Sequence, residues 1–273
     1  YPFDKDMERV CKHYSEMGVK GFKVDFINSD DARIVDFHYR AAEMTAKYHL
    51  LIDFHGTYKP TGLNRTYPNV INYEGVFGLE QMKWSDSSVD QVTYDVTVPF
   101  IRMAAGPMDY TQGAMRNATR KNYRPVNSEA MSQGTRCRQL AEYVVFDSPL
   151  NMLCDSPSNY MAEPLCTKFI AECPVIWDES RAVNGEIGKY ITLARRRGDV
   201  WYVGSMTDWN ARDIDIDLSV LGEGEWVMEI FRDGVNADRA AKDFKHEVVN
   251  VPADRHVTVH MAPGGGWAAR IRR

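Results

Sequence analysis

Cysteine is scarce and scattered in this sequence. Cys11, Cys137, Cys154, Cys166 and Cys173 form no Cys-x-x-Cys pair, and an odd count leaves at least one thiol unpaired whatever the others do. Neither a zinc site nor a disulfide framework is expected. Long apolar runs are also missing. Stretches such as 144–146 and 50–54 fall far short of the roughly 20 residues a membrane span needs, so a soluble chain without a membrane partner is expected. Lys and Arg are dispersed apart from Arg195-Arg196-Arg197, and the net charge is −5, which offers no field for a phosphate backbone and argues against nucleic acid as a partner. No internal repeat, low-complexity tract or secretory leader appears, and the sequence opens on Tyr1-Pro2 rather than on methionine.

What is present has the make-up of a globular protein. Hydrophobic residues are 44% and charged residues 26% of 273, enough for one large domain or two smaller ones. Residues 7–17 have helical apolar spacing and stop at Gly18; residues 21–26 then alternate apolar and polar like a strand. After Asp30-Asp31, Ile34, Phe37, Ala41 and Met44 recur at three- or four-residue steps through 30–48, and 50–54 reads as a buried strand. Strand, helix, strand within about 30 residues is a βαβ unit with parallel strands.

The theme continues with strands expected at 69–74, 98–103 and 150–154, the last after a helix at 134–146. Five strands are too few for a (β/α)₈ barrel, which needs eight and about 250 residues. Half a barrel leaves two open edges, so the expectation is the C-terminal half of a TIM-type barrel over 1–174 whose earlier strands precede Tyr1. A small open α/β sheet is the alternative. Past Pro174 the period changes. Residues 190–195, 200–205, 213–218, 225–231 and 256–260 alternate with period two between turn signals such as Arg197-Gly198-Asp199 and Asp233-Gly234, and Gly264-Gly265-Gly266 precedes a last strand. An antiparallel β-sandwich over 175–273 is expected.

Barrel enzymes carry their chemistry at the C-terminal ends of strands. There Asp25 ends the first strand, His55 the second and Glu74 the third, with Glu80 in the loop just beyond. Two carboxylates over one pocket are the minimal machinery of glycoside hydrolysis. Asp25 would alternatively cap the following helix. Lys23, two residues earlier, shares its strand face and needs a partner, either Asp25 or a sugar hydroxyl, or else belongs to a structural ion pair. Glu74 and Glu80 sit in a loop with two glycines. If they meet, their repulsion calls for a proton or a cation, and oxygen ligands without a Cys or His cluster suit calcium; otherwise they are two solvated carboxylates. His55 would donate to a sugar or be structural, and Tyr58, Tyr67, Tyr73, Phe77 and Trp84 would stack on a sugar or pack in the core.

The segments Gly21-Phe22-Lys23-Val24-Asp25-Phe26, His55-Gly56-Thr57-Tyr58-Lys59-Pro60-Thr61-Gly62, Arg65-Thr66-Tyr67-Pro68-Asn69, Asn72-Tyr73-Glu74-Gly75 and Glu80-Gln81-Met82-Lys83-Trp84 together resemble glycoside hydrolase family 97. The run from His55 to Trp84 is the most specific part. The likeness extends through Gly106-Pro107-Met108-Asp109-Tyr110-Thr111 to Asp208-Trp209-Asn210-Ala211-Arg212. It implies an N-terminal β-sandwich, a central barrel and a C-terminal β-domain, acting on α-linked sugars with calcium, and exported to the periplasm or secreted. Retaining members place a nucleophilic Asp at the position of Asp25. Inverting members place a base Glu directly after the histidine matched by His55, where this sequence has Gly56.

The resemblance therefore implies a retaining α-galactosidase: Asp25 as nucleophile, Glu80 as general acid/base, Glu74 and Glu80 as calcium ligands, and Lys23 and His55 on the substrate. At least one further calcium ligand would come from the N-terminal region. The expected partners are a small oligosaccharide and, through the C-terminal domain, a second copy of the chain. Rival expectations are an inverting α-glucosidase of the same family and an inactive carbohydrate-binding or oligomerisation fragment. With half a barrel, the isolated 273 residues are expected to be weakly active or inactive.

Overall fold

The computed structural model describes residues 2–129 and 131–273, in two compact units. The first takes the chain up to Gly78 with Arg102–Tyr110 and Ser148–Met152. The helical periodicity appears as α1 (Pro2–Lys5) and α2 (Met7–Glu16), then, after β1 (Gly21–Val24), as α3 (Ala32–Lys47). Asp31 starts α3 by accepting the Arg33 and Ile34 N–H groups, donors that a first turn otherwise leaves unpaired. Ile34, Phe37, His38, Ala41 and Thr45 then bury one face of α3.

Next come β2 (Leu51–Phe54), α4 (Leu63–Thr66) and β3 (Val70–Tyr73). The strands pair in parallel in the order β1-β2-β3 among the described residues. Gly21 makes the first pairing feasible, because a β-carbon there would lie 2.6 Å from the Leu51 carbonyl oxygen. Cys11, Ile34 and Phe37 from the helices meet Ile52, Phe54 and Val70 from the strands in one apolar core.

The second unit takes Leu79–Ile101, Thr111–Asp147 and Leu153–Arg273. It contains α5 (Gln91–Asp95), α6 (Val98–Ile101), a short parallel pair β4 (Asn117–Ala118) and β5 (Ser132–Gln133), then α7 (Arg136–Val145), α8 (Pro157–Ala162) and α9 (Pro164–Glu172). Side chains of Asp90, Thr135 and Ser156 cap α5, α7 and α8. The strands that follow are β6 (Glu179–Glu186), β7 (Tyr190–Arg197), β8 (Val200–Thr207), β9 (Arg212–Asp217), β10 (Val227–Asp233), β11 (Phe244–Asn250), β12 (His256–Met261) and β13 (Gly266–Arg272).

Among the described residues, six of these form an antiparallel sheet in the order β11-β10-β13-β8-β7-β6, and β9 pairs with β12. Trp201, Met228 and Trp267 from the large sheet pack against Ile216, Val259 and Met261 from the small one, which is the two-layer core that period-two alternation requires. On the other side lies α7, all of whose residues are buried. Its close approach depends on Gly204, where a β-carbon would lie 2.7 Å from the Ala141 carbonyl oxygen.

Two expected strands are corrected. Residues 98–103 are helical, Val98–Ile101 in α6 and Arg102–Ala105 in a 3-10 turn. Pro99 stands in the first turn of that helix, where its missing N–H costs nothing, so the β-rich run Val98-Pro99-Phe100-Ile101 misled the reading. Residues 150–154 form no strand: the Leu150 carbonyl accepts from the side chains of Asn72 and Ser148. No helix among the described residues is long and apolar enough to cross a membrane.

Candidate active site

The three parallel strands deliver their chemistry at matching ends. Lys23 is in register with Asp53, and Asp53 with Asn72, so one layer across β1, β2 and β3 is polar. Each strand then releases a functional residue: Asp25 after β1, His55 after β2 and Glu74 after β3. The hairpin-like approach of the first two loops is fixed by the main chain, the Asn28 N–H donating to the Gly56 carbonyl at 2.6 Å.

Asp25 is exposed, and its Oδ1 accepts the N–H of Phe26 at 2.5 Å. Phe26 is 75% exposed and has φ of 60°, an uncommon backbone state for a bulky residue. Facing it is Gly56, with φ of 58°. A β-carbon at position 56 would lie 2.8 Å from Asp25 Oδ1 and 2.9 Å from the Phe26 nitrogen.

His55 is buried between two carboxylates. Its Nδ1 is 2.7 Å from Asp109 Oδ2 and its Nε2 is 3.2 Å from Glu74 Oε1. Glu74 Oε2 accepts the Gly56 N–H at 2.6 Å. Lys23 has Asp109 as its ion-pair partner, Nζ to Oδ2 at 2.6 Å, rather than the Asp25 that strand alternation offered. Burial opposes ionisation of Asp109, but hydrogen bonds and charge from His55 and Lys23 outweigh it and hold the carboxyl below the usual range. Asp53 goes the other way: burial first, and then the neighbouring Asp109, push it up to about 8.

Arg102, buried and unremarked in the sequence, braces this floor. Its guanidinium donates to the carbonyls of Tyr73, Glu74, Gly75, Gly106 and Pro107, tying the loop after β3 to the segment that carries Asp109. Among the aromatics, Tyr73 is 1% exposed and packs on Phe54 with ring centroids 5.5 Å apart, so it belongs to the core. Trp84 is exposed and donates its indole N–H to Gln81. Glu80 lies on a 3-10 turn, Leu79–Lys83, six residues along the chain from Glu74.

Residues 2–76 match the family model described as glycoside hydrolase 97, and residues 176–272 match the model for the glycosyl-hydrolase 97 C-terminal, oligomerisation domain. The chain belongs to glycoside hydrolase family 97. A retaining alpha-galactosidase of Bacteroides thetaiotaomicron is 64% identical over 272 residues, covering 100% of this chain and 41% of that protein. A probable retaining alpha-galactosidase of Streptomyces bingchenggensis is 33% identical over 267 residues, 95% of this chain and 39% of that one. The chain thus spans about two fifths of the length of these curated relatives. A family 97 enzyme of Pseudoalteromonas sp. strain K8, solved in complex with acarbose, superposes with a TM-score of 0.87 at 32% identity, covering 99% of this chain and 44% of that one.

The family 97 fold explains the open parallel sheet: the chain carries the C-terminal half of a (β/α)₈ barrel followed by an antiparallel β-sandwich. Of the expected site residues in the first unit, the structure brings Lys23, His55 and Glu74 into one network and sets Asp25 against Gly56. Asp53, Asp109 and Arg102 were not singled out. For Asp53 a signal existed, since it shares a strand face with His55 and stands in register with Lys23.

Proposed function

We propose that this chain carries the catalytic groups of a retaining α-galactosidase, with Asp25 as nucleophile and Glu80 as general acid/base. The observation that carries the reading is the apposition of Asp25 and Gly56. The position after His55, where inverting members of the family hold their base, has no room for a side chain while Asp25 keeps its place. The relatives named retaining and probable retaining alpha-galactosidase support the same assignment.

In the reaction, Asp25 attacks the anomeric carbon as Glu80 protonates the departing oxygen; Glu80 then takes a proton from the water that releases the sugar. Two inversions leave the α configuration intact. Lys23 and His55, both anchored on Asp109, are proposed to hold sugar hydroxyls, His55 through the Nε2 that otherwise faces Glu74, so that attack is effectively unimolecular. Glu74 and Glu80 are proposed to hold calcium. Glu74 fits that role as a buried carboxylate whose oxygens are oriented by the Gly56 N–H and His55, the hard-oxygen chemistry that calcium prefers. When bound, the ion supplies positive charge and orientation beside the sugar. The substrate class is a small oligosaccharide ending in α-galactose; the C-terminal domain is proposed to pair copies of the chain, and a periplasmic or secreted location is proposed on the family resemblance alone.

The test is the anomer formed first. Proton NMR of the natural full-length protein acting on nitrophenyl α-galactoside is expected to record α-galactose before mutarotation; β-galactose first would mean inversion and remove Asp25 from the role of nucleophile. Chelation supplies a separate check. Stripping divalent ions is expected to lower activity roughly 10- to 100-fold, with calcium restoring it, as loss of a ligand-orienting ion would. Activity indifferent to chelator would remove calcium from the proposal.

A further inference from the structure

Two carboxyls, Asp53 and Asp109, are buried under the site. Asp109 is 1% exposed and takes both of its partners on one oxygen, Oδ2, with Lys23 Nζ at 2.6 Å and His55 Nδ1 at 2.7 Å. Its other oxygen, Oδ1, is buried without a hydrogen-bond partner, and so are both oxygens of Asp53, which is also 1% exposed. Three unpartnered carboxyl oxygens buried near one another are costly as pure acceptors, because a desolvated carboxylate needs donors.

We infer that Asp109 is a positioning residue for Lys23 and His55, and that Asp53 stands behind it as a neutral carboxylic acid donating its proton to Asp109 Oδ1. One proton between the two groups turns the orphaned acceptors into a donor and an acceptor. Asp53 keeps it, since Asp109 already has two donors and Asp53 has none. The direction of the acidities agrees, Asp53 being raised by burial and then by the neighbouring Asp109, and Asp109 lowered by its contacts with His55 and Lys23. Backbone geometry fixes both partners: Asp53 is locked in β2 between Lys23 and Asn72, and the Asp109 N–H donates to the Tyr73 carbonyl at 2.8 Å. The inference rests on the reading of Lys23 and His55 as substrate-binding groups and adds what holds them there.

Three variants of the natural full-length protein test it with nitrophenyl α-galactoside. Asp109→Asn, which offers Lys23 and His55 a neutral amide in place of an anionic oxygen, is expected to lower kcat/KM roughly 10- to 100-fold, mostly through KM. Asp53→Leu, similar in bulk but without a donor, is expected to do the same. Asp53→Asn puts an N–H donor where the acid proton stood and is expected to stay within about threefold of the natural protein, a rescue that a merely space-filling residue would not require. Infrared spectra supply a readout independent of turnover: the natural protein is expected to show a protonated carboxylic acid band at neutral pH that Asp53→Asn removes. An Asp53→Asn variant as impaired as Asp53→Leu, or a band unchanged by it, would overturn the shared proton. An unchanged KM in Asp109→Asn would overturn the positioning role. A natural protein that turns over no α-galactoside would sink the proposed function instead, with the infrared band still deciding the carboxyl pair.

Discussion

Replacing Asp25 by glycine is expected to slow hydrolysis of nitrophenyl α-galactoside by a factor on the order of 10⁴ to 10⁶, the loss typical of removing a covalent nucleophile. The structure gives the variant a clean form. Asp25 is exposed, and its side chain hydrogen-bonds only with the N–H of the next residue among the bonds described for it, so little of the core depends on it. Glycine also leaves a space the size of a carboxylate beside Gly56, where azide fits. Azide is expected to restore part of the activity and to yield β-galactosyl azide, because it attacks from the side the nucleophile occupied while the leaving oxygen is still protonated. A variant of undiminished activity would take Asp25 out of the mechanism. One that is inactive, folded and refractory to azide would point to a structural role for the loop instead.

That prediction could be framed from the sequence because strand alternation is a reliable guide near a barrel mouth. The ends of β1, β2 and β3 lie within a residue or two of where alternation over 21–26, the apolar run 50–54 and the strand pattern of 69–74 place them, and Asp25, His55 and Glu74 follow directly. The floor beneath them was less legible for physical reasons. Asp53 in Leu50-Leu51-Ile52-Asp53-Phe54 stands in a run read as a buried strand, and nothing local to that run shows which charged neighbours its carboxyl meets. Asp109 is 54 residues from His55 in the chain, and no local spacing announces such a contact. Arg102 fell inside a run whose β-branched and aromatic residues suggested a strand, while Pro99 in fact opens a helical turn. In the sandwich, β7 to β10 and β12 came through their alternation, whereas β6, with Arg181, Asn184 and Gly185 among its residues, carries too weak a pattern to be read.

Gly56→Ala is the second substitution with a large expected effect, and it separates room from chemistry. Alanine in this left-handed backbone costs roughly 1–2 kcal/mol in strain alone. Its methyl would start 2.8 Å from Asp25 Oδ1 and 2.9 Å from the Phe26 nitrogen, well inside the 3.5–4.0 Å of comfortable contact. The loop after β1 is exposed while β2 is buried, so Asp25 and Phe26 are the groups that yield, moving the carboxylate by several tenths of an ångström or more. A displacement approaching 1 Å from the attacking position costs on the order of 10²-fold in rate. The variant is therefore expected to lose about that factor in kcat with KM changed much less, since Lys23, His55 and Asp109 lie outside the clash. Azide should not rescue it, because the displaced carboxylate still fills the space that azide would need. Steady-state kinetics beside a thermal melt would separate the cases: full activity would show that position 56 tolerates a side chain and that the crowding between Gly56 and Asp25 does not distinguish retention from inversion, whereas a kcat loss with the fold intact ties the retaining outcome to the absence of one β-carbon.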